Sequence, residues 1–498
     1  MNSLYNLFVS VCKRAGNSIA LIYHDITISY NTLYGNVEKI YKLLLSKGVK
    51  CGDVIGLSVK RTPNAIAAML ATLKIGAAYM PFNPHQTKNE CSRMIKESKC
   101  KTIINDRDIT DIFCNCTWIN LEEFDYGIKY PDKYEWIVES HLKRNIYIIY
   151  TSGSTNKAKG VCIRQESLYN LITYGTKEIG LTEKNRIISI SNFAFDMSVP
   201  ETIMPVLIGM SIVLLDDEEA CNPRLVRRQI QKHTVTTLQI TPTRMGILLN
   251  CKRGTDFLQS VQYILFGAEM ISRTLLDKLK GACDAKIFNL YGPTETTVYL
   301  TYSDITNKEI IDIGRSIENT NIYLVDDEQN IIKGPGEGEI IIGGIGVADG
   351  YLSTNVRQVF KKIPKLSNTY IYFTGDMAKR LENGDLVYLG RRDNQVKYRG
   401  FRLGLEEIEN TIRNNIKEIQ DCVIYVYKDA EVEYLTMLYV NKYELEIIEF
   451  RKLLTKYLAS YAIPIRLIRA DSLPLNKNGK IDRAAVAMVV NKYFKNGK

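Results

Sequence analysis

The sequence predicts an α/β protein: a large N-terminal body of α/β sheets with a β-rich subdomain, then a small α+β C-terminal domain. Three observations carry this. Apolar runs of strand length alternate with helical patterns as far as residue 330. Gly-punctuated strand patterns dominate 331–392, as in GEGEIIIGGIGVADGYL. From 393 helices and strands alternate in a unit of about 100 residues, a size that folds alone. The domains expected are therefore 1–392 and 393–498, joined by the few polar residues GRRDNQ (390–395).

In chain order, ISYNTLYGNVEKIYKLLLSKGV (28–49) predicts a short strand and then an amphipathic helix ending at Gly48. IGLSV (55–59) predicts a buried strand. NAIAAMLATLKIGAAYMPF (64–82) predicts a helix, a Gly turn and an extended segment, and TIIND (102–106) another strand. Tyr147–Tyr150 is a further apolar strand run, and RIISISN another. A helix is expected to begin at Asp196 in FAFDMSVPETIMPVLIGM. TLQITPTRM, VQYILFGAEM and KIFNLYGPTETTVY complete the alternation.

Composition bounds the function. The chain has 498 residues, 45% hydrophobic and 24% charged, ordinary for a soluble globular protein. No signal peptide and no membrane span are expected, and a cytoplasmic location follows. The net charge is +10, which fits an anionic small molecule, an acidic protein partner or simply a Lys/Asn/Ile-rich coding bias; the lysines are spread along the chain rather than clustered, which argues against nucleic acid. Eleven scattered cysteines fit reduced thiols. The four histidines are isolated, so neither a zinc motif nor a Ser-His pairing is visible.

The chemistry concentrates in Tyr147–Val161, YIIYTSGSTNKAKGV. A strand runs into Thr151, Ser152, Gly153, Ser154 and Thr155, followed by Lys157 and Lys159. Gly lets backbone N–H groups approach a ligand, hydroxyls donate to phosphate oxygens, and lysines add charge, so the stretch suits a polyphosphate. It does not match the G-x-x-x-x-G-K-[ST] loop.

TSGSTNKAKGV resembles the TSGSTGxPKGV signature of the adenylate-forming enzymes. Asn156 and Ala158 stand where the family has Gly and Pro. Five more stretches resemble family motifs in the family's order: FDMSV (195–199), NLYGPTE (289–295), YFTGD (372–376), GRRDNQVKYRG (390–400) and NGKIDR (478–483). The chain is most similar to the amino-acid adenylation domains of nonribosomal peptide synthetases. That resemblance implies ATP as substrate, Mg²⁺ as cofactor, and a small mobile C-terminal domain.

It also implies site residues. Thr151–Thr155 and Lys159 would hold phosphates, with Gly267 and Ala268 on the nucleotide side. In NLYGPTE, Asn289 would meet the purine edge, Tyr291 and Gly292 the adenine, Thr294 a phosphate oxygen and Glu295 the metal. Asp376 would accept from the ribose hydroxyls, with Arg391 beside it. Lys480 would enter from the small domain to bridge substrate carboxylate and α-phosphate, and Asp393 would be the hinge. Asp196 would pair with a substrate α-ammonium, which marks an amino acid rather than an acyl or aryl acid.

The pocket positions implied are Asp196, Met197, Pro200, Gln239, Ile264, Phe266, Leu290, Val298, Tyr299 and Lys480. They are mostly apolar with one amide, Gln239, which offers a hydrogen bond to a polar side chain, and no acidic or basic residue is placed to pair with a charged side chain. Phe266, with Leu290 and Tyr299, is expected to narrow the pocket to a small neutral amino acid. By the same resemblance the chain would be free-standing and load the phosphopantetheine thiol of a separate carrier protein. An acyl- or aryl-CoA ligase, an amide ligase and a non-catalytic scaffold are the alternatives. Asp196 counts against acyl and aryl substrates, and the retention of Lys480, Glu295 and Asp376 against a scaffold.

Overall fold

The computed structural model describes residues 3–84, 86–106, 116–121, 134–139, 141–151, 158–251, 254–352, 359–363, 366, 370–392, 395–416, 419–429, 433–441, 446–475 and 481–495. Lys480, Asp393 and Ser152–Thr155 lie outside the described residues. The chain divides into two compact units. One holds 1–84, 88–150 and 159–390; the other holds 391–498 with the short segments 85–87 and 151–158.

The first unit contains three sheets. A nine-stranded sheet has at its centre the strands Lys286–Tyr291, Tyr263–Phe266, Thr237–Ile240, Arg186–Ser189 and Ser211–Leu214, in that spatial order. These five are mutually parallel. A six-stranded sheet runs through Thr102–Asn105, Val54–Ser58, Ala78–Pro81 and Asn145–Thr151, and ends on Lys159–Arg164. The third sheet is antiparallel and joins Thr320–Val325, Gly336–Gly344 and Tyr370–Arg380. This is the mixed α/β architecture that the alternating pattern predicts.

Local chemistry explains the helix boundaries. In the helix Tyr30–Ser46 the Ser29 hydroxyl caps the Thr32 N–H at 3.1 Å. Helix Pro63–Ile75 starts with Pro, whose missing N–H costs nothing there, and ends at Gly76 with φ +78°. Every residue of that helix is buried, so its all-round apolar sequence serves packing on more than one side.

One segment departs from expectation. Asp196–Glu201 is a 3₁₀ turn, and the α-helix that follows covers only Ile203–Ile208. Pro200 and Pro205 supply the reason: neither has an N–H to give to an i−4 carbonyl.

The second unit has a three-stranded sheet of Asp421–Lys428, Glu433–Val440 and Arg466–Ala470. Helices Leu405–Asn415, Ile447–Leu454 and Arg483–Lys495 and the hairpin Gln395–Tyr398/Phe401–Gly404 accompany it.

Candidate active site

The strands Thr237–Ile240, Tyr263–Phe266 and Lys286–Tyr291 set the site, because strand side chains alternate between faces. The parallel register pairs Gln239 with Leu265 and Leu265 with Phe288. It pairs Ile240 with Phe266 and Phe266 with Asn289. Gln239, Leu265, Phe288 and Leu290 thus share one face. Leu238, Ile240, Ile264, Phe266 and Ile287 share the other and pack in a second core cluster with Met245, Leu248 and Ile271.

Over the first face lies a small cavity lined by Asp196, Met197, Gln239, Gly267, Ala268, Leu290, Gly292, Val298 and Tyr299. The volume open to the centre of a water-sized sphere is about 30 Å³, room for a few waters or a short side chain.

Three implied pocket positions depart from expectation here. Ile264 and Phe266 do not line the cavity: Phe266 is 0% exposed and packs on the opposite face. Gly267 and Ala268, expected on the nucleotide side, are among its lining residues. Pro200 is buried in the turn beside the cavity and is not among its lining residues. The structure brings Asp196, Met197, Gln239, Leu290, Val298 and Tyr299 together around this cavity.

Buried charges fix the segment that delivers Asp196. The Glu201 carboxylate, fully buried, accepts from the N–H groups of Ile190 and Ser191 at 2.7 Å and from the Ser191 hydroxyl at 2.5 Å. Burial pushes this carboxyl up, and the Ser191 hydrogen bonds and the Arg61 charge oppose that push. Arg61 donates to the carbonyls of Leu215 (2.8 Å) and Ser191 and to the Ser189 hydroxyl (2.8 Å). Its burial lowers the guanidinium to about 10. Arg244 donates to the Ile190 carbonyl at 3.2 Å. Arg61 and Arg244 carried no motif in the sequence.

A turn in the left-handed region presents the far wall. Thr297 has φ +69° and Val298 φ +64°, uncommon for β-branched residues and most often held at functional sites. Ala268 has φ +67°. A Cβ on Gly292 would lie 2.6 Å from Tyr299 Cα and 2.8 Å from the Val298 carbonyl oxygen, so only glycine admits this fold-back.

Beside the cavity, Glu295 sits 2% exposed in the 3₁₀ turn Thr294–Thr296. It accepts the Tyr351 hydroxyl at 2.6 Å, and the Lys159 ammonium stands 5.3 Å from the centre of the Tyr351 ring. Thr294 is half-buried in the same turn. Loop 348–352 stitches this region to the strand Lys159–Arg164. Ala348 N–H donates to the Glu295 carbonyl (2.9 Å), Asp349 N–H to Cys162 (3.1 Å) and Leu352 N–H to Gly160 (2.9 Å). Tyr351 was not legible as a site residue, although it closes the ADGY turn.

Tyr291 donates its hydroxyl to Asp376 Oδ2 at 2.7 Å, and Tyr388 reaches Asp376 Oδ1 at 3.4 Å. Burial, then the Asp376 charge, pushes the Tyr291 phenol up, so it stays a donor. Asn289 gives its Nδ2 to the Asp312 carbonyl at 2.8 Å. Thr151 ends the strand Asn145–Thr151, and Arg391 ends the strand Leu386–Arg391.

Residues 8–352 match the family described as AMP-binding enzyme. The chain belongs to this family. Among curated relatives, this AMP-binding enzyme is 30% identical over 503 residues to a plipastatin synthase component of Bacillus subtilis (strain 168), across 97% of its own length and 19% of that protein. It is 30% identical to the dimodular nonribosomal peptide synthase of the same organism, across 97% of the chain and 21% of that protein. The chain thus spans about a fifth of the length of these relatives.

Its fold is shared with solved structures. One is an NRPS protein containing adenylation and PCP domains, bound to a vinylsulfonamide inhibitor; it has TM-score 0.85 and 23% identity, with 97% of this chain and 84% of that one covered. Another is a four-domain nonribosomal peptide synthetase bound to AMP and glycine, with TM-score 0.70, 28% identity, and 97% and 36% covered. The amide bond synthetase McbA of Marinactinospora thermotolerans has TM-score 0.84 at 17% identity, with 98% and 99% covered. Among the described residues no helix is long and apolar enough to cross a membrane.

Proposed function

We propose that the chain activates an α-amino acid with ATP and passes it to a carrier protein. One oxygen of the substrate carboxylate attacks the α-phosphorus, the bond to the β-phosphate breaks, and pyrophosphate leaves. The phosphopantetheine thiol, giving up its proton, then attacks the aminoacyl carbonyl and AMP leaves. The observation that carries this reading is a cavity with one carboxylate, Asp196, in an otherwise neutral lining. A carboxylate there pairs with the α-ammonium of a free amino acid.

The remaining roles follow from placement and resemblance. Asp376, oriented by Tyr291, accepts from the ribose hydroxyls, with Asn289 and Arg391 on the nucleotide side. Lys159, Thr294 and Thr151–Thr155 bind phosphate oxygens. Glu295 fits Mg²⁺: it is a buried carboxylate in a turn, and one carboxylate plus substrate phosphates is the donor set this ion takes. Bound there, the ion would offset charge on the leaving pyrophosphate. Lys480 offsets the two anions that must meet, and Asp393 serves as the hinge. The bias of 391–498, with 20 Lys and Arg against 14 Asp and Glu, supports an acidic carrier.

The test is amino-acid-dependent ATP–pyrophosphate exchange, followed by intact-mass detection of aminoacylated carrier. Asp196→Ala should cost about 10²–10³-fold in exchange while sparing ATP binding. Lys480→Ala should cost about as much in adenylation while sparing thioester transfer from preformed adenylate. Equal activation of des-amino acids by the unaltered enzyme would sink the Asp196 role.

A further inference from the structure

The Gln239 side chain is 1% exposed and lines the cavity. Its Nε2 donates to the Met197 carbonyl oxygen at 2.6 Å and lies 3.8 Å from Met197 Sδ. That contact fixes which way the amide faces, because the reverse orientation would press two carbonyl oxygens together at 2.6 Å. The Oε1 atom is buried and has no hydrogen-bond partner among the described residues. A buried acceptor left unmade is costly, and a ligand that supplies the missing donor recovers that cost.

We propose that Gln239 Oε1 selects an amino acid whose short, neutral side chain carries a hydrogen-bond donor: the hydroxyl of serine or threonine, or the amide of asparagine. This rests on the amino-acid reading of the same cavity. Neutrality follows from the lining: among the described residues its single charge is Asp196, committed to the α-ammonium, and Lys480 is assigned to the carboxylate and α-phosphate. Shortness follows from the small free volume and from Met197, whose Sδ would stand 3.3 Å from a Cβ built at Gly267. Among the other lining residues Leu290 and Val298 have no polar side-chain atom and Tyr299 offers a single hydroxyl, whereas the buried acceptor left without a partner is on Gln239, so recognition of a side-chain donor is assigned to Gln239.

The experiment compares shape-matched pairs in ATP–pyrophosphate exchange with the unaltered enzyme: serine against 2-aminobutyrate, threonine against valine, asparagine against leucine. In the best-activated pair the donor-bearing member should win by about ten- to a hundredfold in kcat/KM. Gln239→Leu and Gln239→Met should erase or invert that ratio. If neither variant folds, the ratio in the unaltered enzyme decides alone. Equal or better activation of the apolar member of that pair overturns the Gln239 proposal and leaves amino-acid activation standing. Exchange with acyl or aryl acids and with no amino acid, or with no acid at all, overturns both.

Discussion

The two faces of the strand Tyr263–Phe266 have opposite jobs. One face packs Ile264 and Phe266 against Ile240, Met245 and Leu248 with nothing left over. The other, with the turn that follows it, leaves a cavity, a buried acceptor on Gln239 and left-handed backbone at Ala268, Thr297 and Val298. Stability is gained on the Phe266 face, while the Gln239 face and the turn beside it hold the cavity and the strain. The change of role happens within one step along the chain, between Phe266 and Gly267.

Three consecutive residues make this contrast breakable. The largest effect belongs to Phe266→Ala, which should cost about 3–5 kcal/mol in denaturant unfolding and leave the order of substrate preference unchanged. A preference shifted toward bulky side chains, with stability intact, would put Phe266 back in the cavity. Gly267→Val should do the reverse. Unfolding should change little, but activation of the native substrate relative to glycine should fall by about 1–3 kcal/mol for the space taken. An unchanged substrate profile would show that the cavity lies elsewhere.

The smallest effect is expected one residue on. Ala268→Gly relieves a left-handed residue, worth about 1–2 kcal/mol, against about 0.4–1 kcal/mol lost to the greater freedom of the unfolded chain, so stability should rise by less than about 1.5 kcal/mol. A clear loss of stability would mean that the Ala268 methyl group contributes more packing than its conformation costs.

Adjacent to this contrast, the pH response of the same unit has a definite sign. Burial pushes the Asp385 carboxyl up, but its bonds to Lys308 (3.0 Å) and Arg315 (2.9 Å) outweigh that and hold it below the usual carboxylate range. A carboxyl depressed on folding stabilises above its unfolded pKa, and that contribution is lost as pH falls through its folded value. Asp385→Asn should therefore flatten the acid limb of a melting-temperature profile; an unchanged limb would mean the pairing contributes nothing.

Most of the first unit was legible because its strands and helices carry clean periods, as at Ile55–Leu57 and Tyr30–Ser46. The face of Phe266 was not. Ile264, Leu265 and Phe266 are all apolar, as expected for a strand buried on both sides, so hydropathy gives no parity. Only the register with Gln239, a polar residue one strand away, sets which of them faces the cavity. Asp196 was legible from its motif, but its 3₁₀ turn depended on two prolines whose effect a helical period hides. Tyr351, Tyr388 and Arg61 act on residues 56, 12 and about 130 positions away. No local pattern announces such partners.

The seam at 348–352 has a consequence for the chain during synthesis. Glu295 meets Tyr351 only after 56 more residues have been made, and Tyr291 meets Asp376 only after 85. Asp196, Gln239 and the Val298 turn are in hand well before that. The residues that line the cavity are therefore all synthesised while the pairs Glu295–Tyr351 and Tyr291–Asp376 are still incomplete. A stalled or clipped chain ending before Asp376 would keep every residue proposed for the amino acid and lack a carboxylate proposed for the ribose.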